Sequence, residues 1–322
     1  GYTLTPTPSR FARINNGEIE YAGRFSGNAQ GLPDRDDFSI HHRGNGLRRF
    51  AVFGDSYTAA QYLASNWPDR TEDILGKTGA QIQLLNFSTH GGGLANWASN
   101  LAGILARDNY QVDGLVFAVF DDDLERTFTL ADGAGRDKLS FGHLADWHPA
   151  DYPASRDEAA ALLDKQEIKA SYILSSDQFD AALAGTWHPE RYWEFRILKA
   201  ASYQLSRLRH WLRNQPGFSP GQRNRIEALR QYADENELPV LVVYVPGLAE
   251  ASGRSSRHYR QAGNFAALLD ADFLDGRKAF EHFTTAQLQE RWFNNDAHWN
   301  QQGSDTFAAF MASFLADWPC LL

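Results

Sequence analysis

The hydrophobic pattern along this chain alternates between two kinds of segment. Apolar-rich runs fall at 48–53, 81–87, 114–120, 239–246 and 271–275, and stretches with apolar residues at helical spacing fall at 59–76, 97–108, 224–237 and 305–317. A strand exposed on one face alternates apolar and polar residues. Runs such as Val116-Phe-Ala-Val-Phe120 have no polar face, so both sides of their sheet must be covered. The strand-then-helix rhythm therefore predicts a parallel sheet with helices on both faces. It is interrupted between the third and fourth strands by residues 131–221, far longer than the ~2–6 residues usual for such connections. An insertion at that point is expected above the carboxyl ends of the strands, as a lid or substrate platform. Within it Ile197, Ala200, Ala201, Leu205, Leu208 and Leu212 recur at helical spacing, so the insertion is expected to be largely helical. Residues 1–45 form an N-terminal extension, no internal repeat appears, and residues 1–322 are expected to build a single domain.

In open α/β sheets the carboxyl ends of the strands hold the sites. The first strand runs into Gly54-Asp55-Ser56, which would present a serine there. Gly-Asp-Ser is also ordinary turn and capping chemistry, and alone it decides nothing. Near the other end stands Asp296-Ala-His298-Trp-Asn300, followed by Gln-Gln-Gly303 and an apolar helical segment. A hydroxyl nucleophile needs an imidazole to take its proton, and the imidazole needs an acceptor to fix its tautomer. Ser56, His298 and Asp296 supply those three parts, against the alternative that His298 is a satisfied loop residue.

These residues resemble the SGNH or GDSL-type esterases and acyltransferases. The first block of that family is matched by Phe53-Gly-Asp-Ser-Tyr-Thr58 and the second by Asn86-Phe-Ser-Thr-His-Gly91, with Asp296-Ala-His298 as the last. The Asp-x-His spacing followed by Trp-Asn looks like the branch that includes carbohydrate O-acetyltransferases. The resemblance spans roughly residues 30 to 318. It implies a flavodoxin-like three-layer α/β sandwich and a covalent acyl-enzyme on Ser56, with His298 as base, Asp296 as its orienter, and the Ser56 and Gly91 backbone N–H groups on the oxyanion. It requires no cofactor. The implied substrate is an O-acylated carbohydrate or other small acyl ester: water as acceptor gives an esterase, most simply a carbohydrate O-acetylesterase, and a sugar hydroxyl gives an O-acyltransferase.

The third block departs from the family pattern. Where an asparagine is usual, the sequence Val116-Phe-Ala-Val-Phe-Asp-Asp-Asp123 puts Asp122. An ionised carboxylate cannot donate to an oxyanion and repels it unless protonated or turned away. That leaves a slow or altered enzyme, a donor recruited from elsewhere, or a non-catalytic carbohydrate-binding or assembly protein on a degenerate scaffold. The three aspartates also raise a metal site, but no second ligand cluster accompanies them, and His41-His42 lacks a third ligand at metal spacing.

Composition narrows the partners. A net charge of −9 argues against a phosphate-tracking surface, and Arg207, Arg209 and Arg213 read as one solvated helix face. No run of about twenty apolar residues is present to span a membrane. The opening Gly1-Tyr-Thr-Leu-Thr-Pro-Thr-Pro8 has neither a basic n-region nor an apolar h-region. It suits a mature chain after an export signal or anchor, and so gives an expectation of an extracytoplasmic location. Cys320 is the sole cysteine, so no intrachain disulfide can form. The 13% aromatic share would suit sugar-stacking surfaces, although most rings are expected to fill the core. Trp147-His-Pro149 and Trp187-His-Pro189 repeat a tripeptide inside the insertion, where each histidine reads as a loop or core residue.

Overall fold

A computed structural model describes residues 9–15, 18–25, 27–41, 46–60, 62–126, 128–131, 137–141, 169–170, 217–254, 256–294 and 296–318. Its centre is a five-stranded parallel sheet made of β3 (Arg48–Phe53), β4 (Ile82–Asn86), β5 (Gly114–Phe120), β9 (Val240–Val245) and β10 (Asp272–Asp275). The spatial order is β10-β9-β5-β3-β4. Counting these strands along the chain, the order reads 2-1-3-4-5, the flavodoxin-like arrangement. Chain direction across the sheet reverses between β3 and β5, and that switch point is where such sheets open a crevice for ligands.

Alternate residues of each central strand feed opposite faces, as the two-residue period requires. Ala51, Phe53, Leu115, Phe117, Val119, Val242 and Tyr244 point into one core, and Phe50, Val52, Val116, Ala118, Leu241, Val243 and Val245 into the other. Helix α3 (Leu94–Asn100) and the helices Pro220–Glu235 and Arg257–Leu269 cover the first face. Helix α2 (Trp67–Lys77) packs against the closing helix Gln301–Asp317 over the second. The molecule is therefore a three-layer α/β sandwich. At the amino edge of the sheet the buried Arg49 holds the preceding segment in place, its guanidinium donating to Gln83 Oε1 (3.0 Å) and to the carbonyls of Gln111 (2.9 Å) and Ser39 (2.5 Å).

Two helices differ from expectation. The continuous helix at 59–76 is instead a four-residue turn α1 (Ser56–Ala59) and the separate helix α2. Ala60 adopts a left-handed conformation (φ 44°) that ends α1, and Asn66, accepting from Asp69 N with Pro68 in the first turn, starts α2 afresh. The helix at 97–108 begins earlier, at Leu94, and widens into a π-helical turn over Leu101–Ala106.

Before the sheet, β1 (Ser9–Asn15) and β2 (Glu18–Phe25) form an antiparallel hairpin. Between β5 and β9, β6 (Phe128–Ala131), β7 (Asp137–Phe141) and β8 (Lys169–Ala170) form a small antiparallel sheet, so residues 131, 137–141 and 169–170 of the insertion are strand, and the helix Pro220–Glu235 begins at its end. Residues 197–212, expected to be helical, Arg207, Arg209 and Arg213, both Trp-His-Pro tripeptides, His42 and Cys320 lie outside the described residues. Among the described residues no helix is long and apolar enough to cross a membrane.

Candidate active site

The turn after β3 is built for close approach. A Cβ on Gly54 would lie 2.3 Å from Thr58 Oγ1, so only glycine allows the chain to fold straight from strand into α1. Asp55 caps that turn by accepting from Tyr57 N at 2.8 Å, leaving Ser56 as its first residue. Trp97 Nε1 and Thr89 N both donate to Gly54 O, at 3.1 Å each, and fix the turn from the side of α3 and the β4 loop.

The C-terminal segment is equally constrained. Trp292 and Trp299 pair as an isolated antiparallel bridge, Phe293 N donates to His298 O (3.1 Å), and Asn300 N donates to Arg291 O (2.9 Å). Gly303 lets the closing helix pack under this loop, because a Cβ there would meet Arg291 O at 2.4 Å. Asn300 caps that helix by accepting from Gln302 and Gly303 N. Residues 296–298 are thus held in one conformation just ahead of a helix.

The two segments, separated by 242 positions, meet at the switch point. Ser56 Oγ lies 2.7 Å from His298 Nε2, and His298 Nδ1 lies 2.7 Å from Asp296 Oδ1. A carboxylate can only accept, so Nδ1 carries the hydrogen and Nε2 is left to accept from the serine hydroxyl. Asp296 is buried and the imidazole nearly so. The ring is gripped by Tyr57 (centroids 4.9 Å apart) and Tyr62 (4.7 Å). Burial pushes the Tyr57 phenol well above its ordinary pKa, so it keeps its proton and donates to Ala297 O. One aromatic ring therefore packs at a tilt against the imidazole and ties the loop that carries it.

Two further loops border Ser56. At the end of β4, Asn86 Nδ2 donates to Thr58 O (3.1 Å) while its Oδ1 accepts from Ser88 N (3.1 Å). Gly91 follows with φ 68°, a left-handed conformation natural to glycine. At the end of β5, Asp123 accepts from Phe120 N (2.9 Å) and its carbonyl accepts from Leu94 N (3.0 Å). Gly93 permits that contact, since a Cβ there would lie 2.0 Å from Asp123 O.

The aspartate run does not converge. Asp121 pairs with His258 Nδ1, whose Nε2 accepts from Arg257 Nε at 3.0 Å, so both imidazole nitrogens are engaged. Asp122 and Asp123 both turn to Arg126, with Arg126 Nε 2.7 Å from Asp122 Oδ1 and Nη1 2.6 Å from Asp123 Oδ1. Among the described residues no group of three or more His, Cys, Asp or Glu is arranged to hold a metal ion. Ser56, His298 and Asp296 are thus brought together, while Asp122 is directed at an arginine. Sequence reasoning missed Arg126, Tyr57 and Tyr62. The one signal available was the placement of an arginine three and four residues after two aspartates, a spacing at which side chains can meet.

No family model matches the chain, and no curated protein matches it. Among solved structures it is similar to a lipase/acylhydrolase from Enterococcus faecalis at 13% identity and a TM-score of 0.40, covering 84% of this chain and 95% of that one. A putative GDSL-like lipase from Parabacteroides merdae aligns at 12% identity and a TM-score of 0.42 (84% and 98% covered). The acetyl xylan esterase AlAXEase aligns at 15% identity and a TM-score of 0.42 (82% and 98% covered). At these scores the likenesses carry no argument about activity, which has to be read from the site itself.

Proposed function

We propose that the chain is a serine acyl-ester hydrolase of the SGNH type, acting through an acyl-enzyme on Ser56, with an O-acetylated carbohydrate as substrate. The observation that carries the reading is the unbroken relay from Ser56 Oγ through His298 to Asp296, 2.7 Å at each link. The hydroxyl proton passes to Nε2 as Oγ bonds to the ester carbonyl carbon, and Asp296 stabilises the imidazolium that forms. The Ser56 and Gly91 backbone N–H groups take the oxyanion. As the tetrahedral intermediate collapses, the imidazolium gives its proton to the leaving alcohol oxygen. Water then bonds to the acyl carbon as it loses a proton to Nε2, and the imidazolium returns that proton to Ser56 Oγ as the Oγ–carbon bond breaks and the acid leaves. Asp122, at the sequence position where the family pattern has its asparagine, is turned to Arg126 rather than serving as a third donor.

Carbohydrate as the alcohol part rests on the Asp296-Ala-His298-Trp-Asn300 resemblance. The test is acetate release from a panel of O-acetylated glycans, with transfer to an added oligosaccharide measured alongside. Release to water is the expected result. Transfer to the oligosaccharide would make the protein an O-acyltransferase, and neither, on any glycan or small ester, would make it a binding protein.

A further inference from the structure

We propose that Arg126 is the positioning residue of this site, one guanidinium that ties the three loops around Ser56 together and offsets the carboxylate charge beside the developing oxyanion. The inference rests on the serine acyl-transfer reading above. Nη1 lies 2.8 Å from Asp55 Oδ2 on the nucleophile turn, 2.6 Å from Asp123 Oδ1 on the β5 turn and 3.1 Å from the Gly92 carbonyl on the β4 loop. Nε binds Asp122 Oδ1 at 2.7 Å. The two Nη1 hydrogens bond Asp55 and the Gly92 carbonyl, and Asp123 is paired with the same nitrogen by charge, so one guanidinium touches all three loops.

One carboxylate links it to the reacting atom. Asp55 Oδ2, which accepts from Nη1, is also 3.4 Å from Ser56 Oγ. The Gly92 carbonyl belongs to the residue after Gly91, the second oxyanion donor, so a shift of the guanidinium moves both ends of the oxyanion site. Without Arg126, Asp55 and Asp123, both buried, would lose the cation between them, with Asp122 close by. Negative potential there opposes an oxyanion in the transition state far more than a neutral ester in the ground state. Burial alone would make the guanidinium easier to deprotonate, but Asp123, Asp55 and Asp122 hold it above its ordinary pKa, so the cation is permanent.

The site thus meets the anomaly of an aspartate at the asparagine position with a charge rather than with a side-chain amide. Lysine cannot replace it. An ammonium is a point charge on a flexible stem and lacks the fork that spans several acceptors at once.

The test uses p-nitrophenyl acetate turnover by the wild type, Arg126→Ala and Arg126→Lys, each with and without methylguanidinium. For Arg126→Ala the account expects kcat to fall by about 100-fold or more with KM within about threefold, since the interaction is realised in the transition state. Methylguanidinium should restore at least about tenfold of that loss and leave the wild type unaffected, as expected when a missing group is resupplied at a pre-shaped site. Should Arg126→Ala fail to fold, Arg126→Lys decides, with an expected kcat below about a tenth of wild type. Near-wild-type kcat in the lysine variant, a loss confined to KM, or a folded alanine variant that methylguanidinium does not rescue would each overturn the proposal while leaving Ser56 chemistry intact. A wild-type protein that neither turns over the ester nor takes a fluorophosphonate on Ser56 would remove the underlying reading, and the proposal with it.

Discussion

Asp122 presents its carboxylate to Arg126 Nε while 41% of the side chain stays exposed. Solvent-exposed ion pairs contribute little, about 0–1 kcal/mol, and an asparagine at this position could still accept from Nε through its amide oxygen. Asp122→Asn is therefore expected to change kcat/KM by no more than about threefold, measured on p-nitrophenyl acetate. A tenfold gain would mean that the carboxylate itself repels the oxyanion, and a comparable fall that Asp122 fixes Arg126. The Ser56, Asp296 and His298 candidates were legible as an arrangement, since only together do a hydroxyl, an imidazole and a carboxylate supply the parts of a relay. It did not reveal where the Asp122 charge is directed, since that depends on which of several cations a flexible turn brings within reach.

Helix α2 carries an unusual burden for its length. It buries Asp69 and places Glu72 against β4, where Glu72 Oε1 accepts from Leu84 N (2.5 Å) and Oε2 pairs with Arg35 Nη2 (3.0 Å). Burial, reinforced by the Asp69 charge, pushes Glu72 from 4.5 to about 8, and burial pushes Asp69 from 3.8 to about 7 despite Arg35 nearby. Both folded-state values lie above the unfolded ones, so folding favours the protonated forms. Their contribution is fully present below the unfolded values and is lost as pH rises through about 7 to 8. Thermal melts followed by circular dichroism should show Tm falling between pH 5 and pH 8 by at least about 5 °C, with Glu72→Gln flattening that slope and raising Tm at the alkaline end. A Tm that rises across the window, or an unchanged slope in the variant, would contradict this.

Element by element, the strands were the more legible part. An apolar run such as Gly114–Phe120 has to be buried on both faces, and its ends are set by the glycine and the aspartates that bound it. The helix at 59–76 was not legible as two pieces. Its break needs Ala60 in a left-handed conformation that alanine does not itself favour, although Asn66 and Pro68, which start the second piece, carry a cap signal.

For the whole molecule, the 2-1-3-4-5 strand order explains how residues 242 positions apart come to lie 2.7 Å from each other. β3 delivers Ser56 to one side of the switch point and β5 delivers the Asp121–Asp123 turn to the other. The closing helix packs on α2, and so the loop preceding it can lie only over the carboxyl end of β3. The rhythm of strands and helices predicted this class of sheet, and the order of motifs along the chain fits it. The contribution of residues 131–221 was not legible in the same way, because a connection of that length carries no period tying it to the sheet.

The central claim is that Ser56 is a nucleophile activated by His298. It is tested most directly by treating the protein with a fluorophosphonate and mapping the modified peptide by mass spectrometry, in the wild type, Ser56→Ala and His298→Ala. The account predicts one stoichiometric adduct on Ser56, none at any site in Ser56→Ala, and labelling slowed by about 100-fold or more in His298→Ala, the usual contribution of a positioned general base. Absence of an adduct on Ser56 in the folded wild type, or an equal labelling rate in His298→Ala, would contradict it.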